Sequence, residues 1–154
     1  MIRRQVARVL LFDGQDRLLL FRVRDPADPT GDVWWYPPGG GIESGESPEQ
    51  AGRRELDEET GIENAEIGPV VLELRGVHFQ FDGRDFEQDE RYVFGRLRDG
   101  QAVTGRAGDL EAAAVAAHRW WSLGELETTR EVVYPEGLAE IVGRLLRERS
   151  ESAN

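Results

Sequence analysis

The sequence predicts an α/β or α+β domain built on a mixed sheet, and three observations predict it. The readable elements run strand, strand, helix, strand, strand, strand, helix. The 154 residues suffice for one ordinary domain and are few for two. No internal repeat, linker or low-complexity block breaks the chain. A single domain is therefore expected over 1–149, with a disordered tail at 150–154.

Residues 5–12 and 17–23 are almost continuously apolar, as in strands buried on both faces, and Asp13-Gly14 turns the chain between them. A Pro/Asp/Gly-rich loop at 24–32 leads to a short aromatic strand, VWWY, at 33–36. The following PPGGG, 37–41, is expected to form no regular structure. Ser47 suits an N-cap, Pro48 the first helical position, Gln50 the closing partner of a capping box and Gly61 the stop, so a helix spans 48–60. Residues 70–81 and 84–97 alternate around Asp82-Gly83, a hairpin signature. On the second of these strands Phe86, Gln88, Glu90, Tyr92 and Phe94 share a face, while Asp85, Glu87 and Asp89 lie on the other. A Gly/Ala-rich connection at 99–117 holds a short helix around LEAAAVAA. A strand at 118–123 ends near a helical turn at 124–127. An amphipathic helix at 135–149 carries Leu138, Ile141, Val142, Leu145 and Leu146 on one stripe.

The net charge is −11, and all 19 strong cations are arginine. Such a chain is a poor partner for nucleic acid or an anionic membrane. A phosphorylated ligand would need something positive between itself and the protein. There is no cysteine, which rules out disulfides and thiolate metal sites and fits a reducing compartment. The first apolar run is too short to cross a bilayer, and no targeting signal is visible, so a cytoplasmic location is expected. The oligomeric state is left open, a homodimer included.

The helix at 48–60 carries a local contradiction. Glu55, Glu58 and Glu59 stand at i, i+3 and i+4, where like charges weaken a helix by about a few tenths of a kcal/mol per pair. They also lie near its C-terminus, where the macrodipole disfavours acids. Two readings remain open on these residues alone. Either the helix has a solvated acidic face, or the carboxylates gather a hard divalent cation such as Mg²⁺ or Mn²⁺.

The surrounding string decides between them. Gly40 is followed by Glu46, then Arg54-Glu55-Leu56, Glu58-Glu59 and Gly61-Ile62, nine positions in 23 residues. This resembles the Nudix box, G-x5-E-x7-R-E-U-x-E-E-x-G-U, without a departure. The resemblance implies an α/β/α sandwich around a mixed sheet. It implies that Glu55, Glu58 and Glu59 bind Mg²⁺ (or Mn²⁺), aided by a backbone carbonyl at Gly40 or Gly39. It implies further that Arg54 orients Glu55 and pairs with Glu46, that Leu56 and Ile62 are core, and that Asp57 faces solvent. The implied activity is hydrolysis of a diphosphate linkage in a small nucleotide derivative, with Glu58 as first choice of base. A non-catalytic nucleotide sensor of the same fold is the alternative, although degenerate members usually lose box glutamates and this chain keeps them.

Outside the box several residues are singled out. Glu90 shares a largely apolar strand face with Phe86, Tyr92 and Phe94, where a carboxylate is costly unless paired or bound to metal. Trp34 or Trp35 can stack on a base, against the alternative that all four tryptophans simply pack. Arg22, with Arg24, is placed to reach a phosphate or ribose, or else to form surface ion pairs. Glu111 is the sole glutamate between Gly100 and Gly124 and competes with Glu58 for the base, or else decorates a short helix. His78 and His118 lack metal-ligand spacing and are expected to be structural. Nothing downstream of the box assigns the substrate.

Overall fold

The computed structural model describes residues 1–97 and 115–152, and these form one mixed sheet with helices on both faces. The strands are β1 (Ile2–Phe12), β2 (Leu18–Arg24), β3 (Val33–Tyr36), β4 (Gly39–Gly41), β5 (Glu66–Phe81), β6 (Arg84–Arg96), β7 (Val115–Trp121) and β8 (Val132–Val133). The helices are α1 (Pro48–Thr60), α2 (Leu123–Thr128) and α3 (Leu138–Ser152). The sheet order is β5-β6-β1-β2-β3-β8, with β4 also on β1 and β7 also on β2.

β1 is the spine. It runs parallel to β6 from Ile2↔Phe86 to Phe12↔Arg96. Residues 6–12 are all buried, as a near-continuous apolar run requires. β5 and β6 form the expected hairpin, with Asp82 and Gly83 both at positive φ (53° and 75°), the geometry a two-residue turn needs.

β1 and β2 pair only at Phe12↔Leu18 and then diverge. Into the gap beside β1 comes β4, with Val6↔Gly41, Ala7↔Gly40 and Arg8↔Gly39. The expectation of an irregular glycine loop is thus corrected: Gly39–Gly41 is a short antiparallel strand. Glycine is what permits it, since a Cβ on Gly39 would stand 2.2 Å from the Ala7 carbonyl oxygen.

α1 keeps the expected limits. Ser47 and Gln50 exchange both bonds of the capping box, and Gly61 closes the helix at φ 77°. Gly52 lets α1 approach the sheet, for its Cβ would lie 3.0 Å from Val93 and 3.1 Å from Val9. Leu56 and Ile62 join Val9, Leu11, Leu19 and Val93 in one core layer. On the opposite sheet face Leu10, Phe12, Leu20, Tyr92 and Phe94 meet Leu126 of α2 and Leu138, Val142 and Leu145 of α3. Burying side chains of this size contributes about 1.5–3 kcal/mol each, so these two layers fix the sandwich.

The C-terminal elements shift from their expected bounds. α3 begins at 138 rather than 135 because Gly137, at φ 77°, cannot be helical, and it continues to Ser152 rather than ending at 149. Val115–Ala117, expected in a connection, belong to β7. The rest of the short helix expected around LEAAAVAA, including Glu111, lies outside the described residues.

Candidate active site

Arg54 organises the acidic face of α1. Its Nε donates to Glu46 Oε2 at 2.8 Å and its Nη2 to Glu46 Oε1 at 3.0 Å, a two-pronged pair. Nη2 also donates to the Gly41 carbonyl at 2.8 Å, which ties β4 to the helix. Nη1 reaches Glu55 Oε1 at 3.0 Å and the two oxygens of Glu58 at 3.3 and 3.4 Å. One guanidinium therefore hydrogen-bonds three carboxylates, and Glu46, then Glu55, raise its pKa. This resolves part of the like-charge contradiction of the sequence: the side chain just ahead of the acids binds Glu55 and Glu58 together.

The three helix glutamates differ in setting. Glu55 is 5% exposed and Glu59 8%, whereas the Glu58 side chain is 46% exposed. Glu55 is aimed at β4: a Cβ on Gly40 would fall 2.5 Å from its Cδ and Oε1 and 2.7 Å from Oε2. Asp57, expected in solvent, is half-buried. The donor set is all oxygen, the kind that suits Mg²⁺ or Mn²⁺. Among the described residues, however, no three His, Asp or Glu side chains stand in an arrangement ready to hold a metal ion. Glu55 and Glu58 converge on Arg54.

The clamp has a pH signature. The bond from Arg54, and then that from the Glu43 backbone N–H, hold the Glu46 carboxyl below its ordinary value of 4.5. A lowered carboxylate pKa stabilises the fold fully above the unfolded value and less as pH falls through the folded one. Glu46→Gln is therefore expected to lower the urea midpoint at pH 7, and the gap from the parent should close below about pH 4. A gap that stays constant from pH 7 to pH 3 would remove Glu46 from the clamp.

A second feature lies on the other face of β1. A cavity of about 390 Å³ opens between the β1–β6–β5 wall and the β2–β3 wall. Aromatic side chains dominate it, including Trp34, Tyr36, Phe79, Phe81 and Phe86, and Arg4 and Arg8 enter from β1. Trp34 meets Phe81 edge-on with centroids 6.2 Å apart. Trp35 instead is core, edge-on to Trp121 at 5.2 Å. Trp120 packs against the α1 layer. Of the four tryptophans, Trp34 is the one that lines the cavity.

Glu90 is 1% exposed and lines the cavity. Its Oε1 accepts from Tyr92 Oη at 3.0 Å and Tyr134 Oη at 2.7 Å, and its Oε2 from Gln88 Nε2 at 2.5 Å, with Arg8 Nε at 3.9 Å. The paired carboxylate that its burial demanded is what the structure provides. Burial, followed by contact with this carboxylate, pushes both tyrosine hydroxyls above their ordinary pKa, so they remain donors.

Arg22 is not at the cavity. Val23, next along β2, takes that face, while the Arg22 guanidinium lies 5.9 Å from the Trp35 ring. Arg24 donates to the Pro29 carbonyl and fastens the 25–32 loop. His78, expected to be structural, is exposed and borders the cavity, and His118 is exposed and edge-on to Phe21. Sequence reasoning missed Arg4, Arg8, Gln88 and Tyr134. The signal for the arginines was parity: positions 4 and 8 share one strand face with the apolar Ile2, Val6, Leu10 and Phe12.

The NUDIX domain family model matches residues 2–140. MutT4 of Mycobacterium tuberculosis, named as a mutator protein, is 33% identical over 87% of this chain and 49% of its own length. A Bacillus subtilis protein named for 8-oxo-dGTP diphosphatase activity is 30% identical over 79% of this chain and 68% of its own. An RNA pyrophosphohydrolase of Roseobacter denitrificans is 42% identical over 42% of this chain and 38% of its own. The chain thus spans half or less of two of these relatives. Among solved structures, a C. elegans Ap4A hydrolase superposes with a TM-score of 0.69 over 96% of this chain and 98% of that one, at 18% identity, which is a likeness of fold. No described helix is long and apolar enough to cross a membrane. Members of this family generally work with divalent metal ions. With its complete box, its α/β/α sandwich and a family match over nearly its whole length, the chain belongs to the Nudix family.

Proposed function

We propose that the chain hydrolyses a diphosphate linkage in a nucleotide or nucleoside-diphosphate derivative, using Mg²⁺ or Mn²⁺. The observation that carries this reading is the gathering of Glu46, Glu55 and Glu58 on Arg54, with Glu55 set against the glycine strand. Glu55, Glu58 and Glu59, with a backbone carbonyl at Gly40, would hold the ion. When bound, the ion supplies charge neutralisation of the diphosphate and a lowered pKa for the attacking water. Arg54 fixes the Glu55 carboxylate and the β4 backbone relative to one another. Glu58, the most exposed of the three, takes the proton from water. The nucleoside enters the aromatic cavity beside Trp34, and Arg4 and Arg8 supply positive charge on an otherwise acidic molecule.

The test is a panel of ADP-ribose, dinucleotide polyphosphates, NDP-sugars, (d)NTPs and 5′-triphosphorylated RNA, each with and without Mg²⁺. Release of a monophosphate that depends on the metal is expected for at least one small nucleotide. Turnover of none would overturn hydrolysis and leave a nucleotide-binding sensor. Turnover of RNA alone would overturn the small-molecule assignment.

A further inference from the structure

Among the described residues, one buried polar atom that neither the fold nor the proposed chemistry uses is the amide oxygen of Gln88. Its side chain is 2% exposed and lines the aromatic cavity. Its Nε2 is spent on Glu90 Oε2, and its Oε1 is buried with no hydrogen-bond partner among the described residues. Leaving a buried amide oxygen unsatisfied costs free energy, and its position calls for an explanation.

The amide cannot turn over to present nitrogen instead. Glu90 already accepts from Tyr92 and Tyr134 through Oε1, and its Oε2 faces Arg8, so the geometry leaves both oxygens acting as acceptors. A flipped Gln88 would set oxygen against that carboxylate. The network therefore fixes the polarity of the amide, with its nitrogen bound inside the protein and its oxygen left over. Around it the cavity is lined by Trp34, Tyr36 and Phe86, with Arg8 4.8 Å from the Tyr36 ring and Arg4 5.6 Å from the Phe86 ring.

We infer that Gln88 is a specificity-determining residue, whose oxygen accepts an N–H from a flat heterocyclic base held in this cavity. Glu90 is its positioning residue. The inference rests on the nucleotide reading above and deepens it by naming the hydrogen-bond polarity of the bound base. A base carrying an amino or ring N–H satisfies Gln88. An analogue of the same shape without one leaves the oxygen buried and bare.

The experiment measures binding by tryptophan fluorescence, with AMP, GMP, CMP and UMP as probes. Each is set against a donor-free counterpart, purine riboside or 2-pyrimidinone riboside 5′-monophosphate. For the tightest of the four, the donor-free analogue should bind about tenfold or more weakly to the parent protein. In Gln88→Met the two should bind alike, with the analogue's own affinity kept, which also reports an intact cavity. Equal binding of both ligands by the parent overturns the inference without any variant, and so does discrimination that survives in Gln88→Met. The outcome is separable from hydrolysis. Discrimination lost in Gln88→Met by a protein that cleaves no diphosphate would keep this inference and sink the catalytic reading. Turnover without discrimination would do the reverse.

Discussion

Glu58→Gln is expected to lower kcat by about three orders of magnitude with little change in stability. The side chain is nearly half exposed, and its contact with Arg54 is at 3.3–3.4 Å. A surface pair of this kind contributes about 1 kcal/mol or less, and glutamine keeps the length and one acceptor oxygen. What it cannot do is take a proton or hold a cation with full negative charge. Steady-state kinetics on the best substrate, beside a thermal melt, separates the two effects. A variant that melts like the parent and turns over at a similar rate would exclude Glu58 from the chemistry.

Gly40→Ala is expected to weaken metal activation about 10–100-fold, the usual effect of disturbing a group that orients a ligand. The added methyl would stand 2.5 Å from the Glu55 carboxyl carbon, so that carboxylate must move. It lies at the free end of a side chain, so the fold should tolerate the change. Gly39→Ala is the contrasting case, because there the methyl meets the Ala7 carbonyl and Arg8 Cα, both backbone. A Mg²⁺ activation curve and a melt for each variant make the comparison. Activation in Gly40→Ala at the parent's Mg²⁺ concentration would show that the placement of Glu55 against β4 does not matter.

Local chemistry was legible in the chain. α1 could be read to the residue because each terminus carries its own signal, Ser47-Pro48 with Gln50 at one end and Gly61 at the other. The β5–β6 turn followed from Asp82-Gly83 alone. The Arg54–Glu46 pair followed from the family resemblance and from the reach of an arginine to the loop ahead of the helix. What could not be read depended on pairing between distant segments. β4 has no side chains to alternate, and its strand character comes wholly from β1, more than thirty residues earlier. The cavity likewise needs the parallel alignment of β1 with β6, which brings Arg4 opposite Gln88. No local pattern specifies such a register. Glu90 stood out because it broke the apolar face, but its partner Tyr134 comes from beyond β8.

The register of three glycines against residues 6–8 makes the spacing between sheet and helix a matter of counting. Adding or deleting one residue between Tyr36 and Gly39 would slide a different carbonyl beneath Arg54 and a different Cα in front of Glu55. Length variation among relatives should therefore collect in the 25–32 segment, where the chain touches neither, and stop short at the prolines that follow Tyr36.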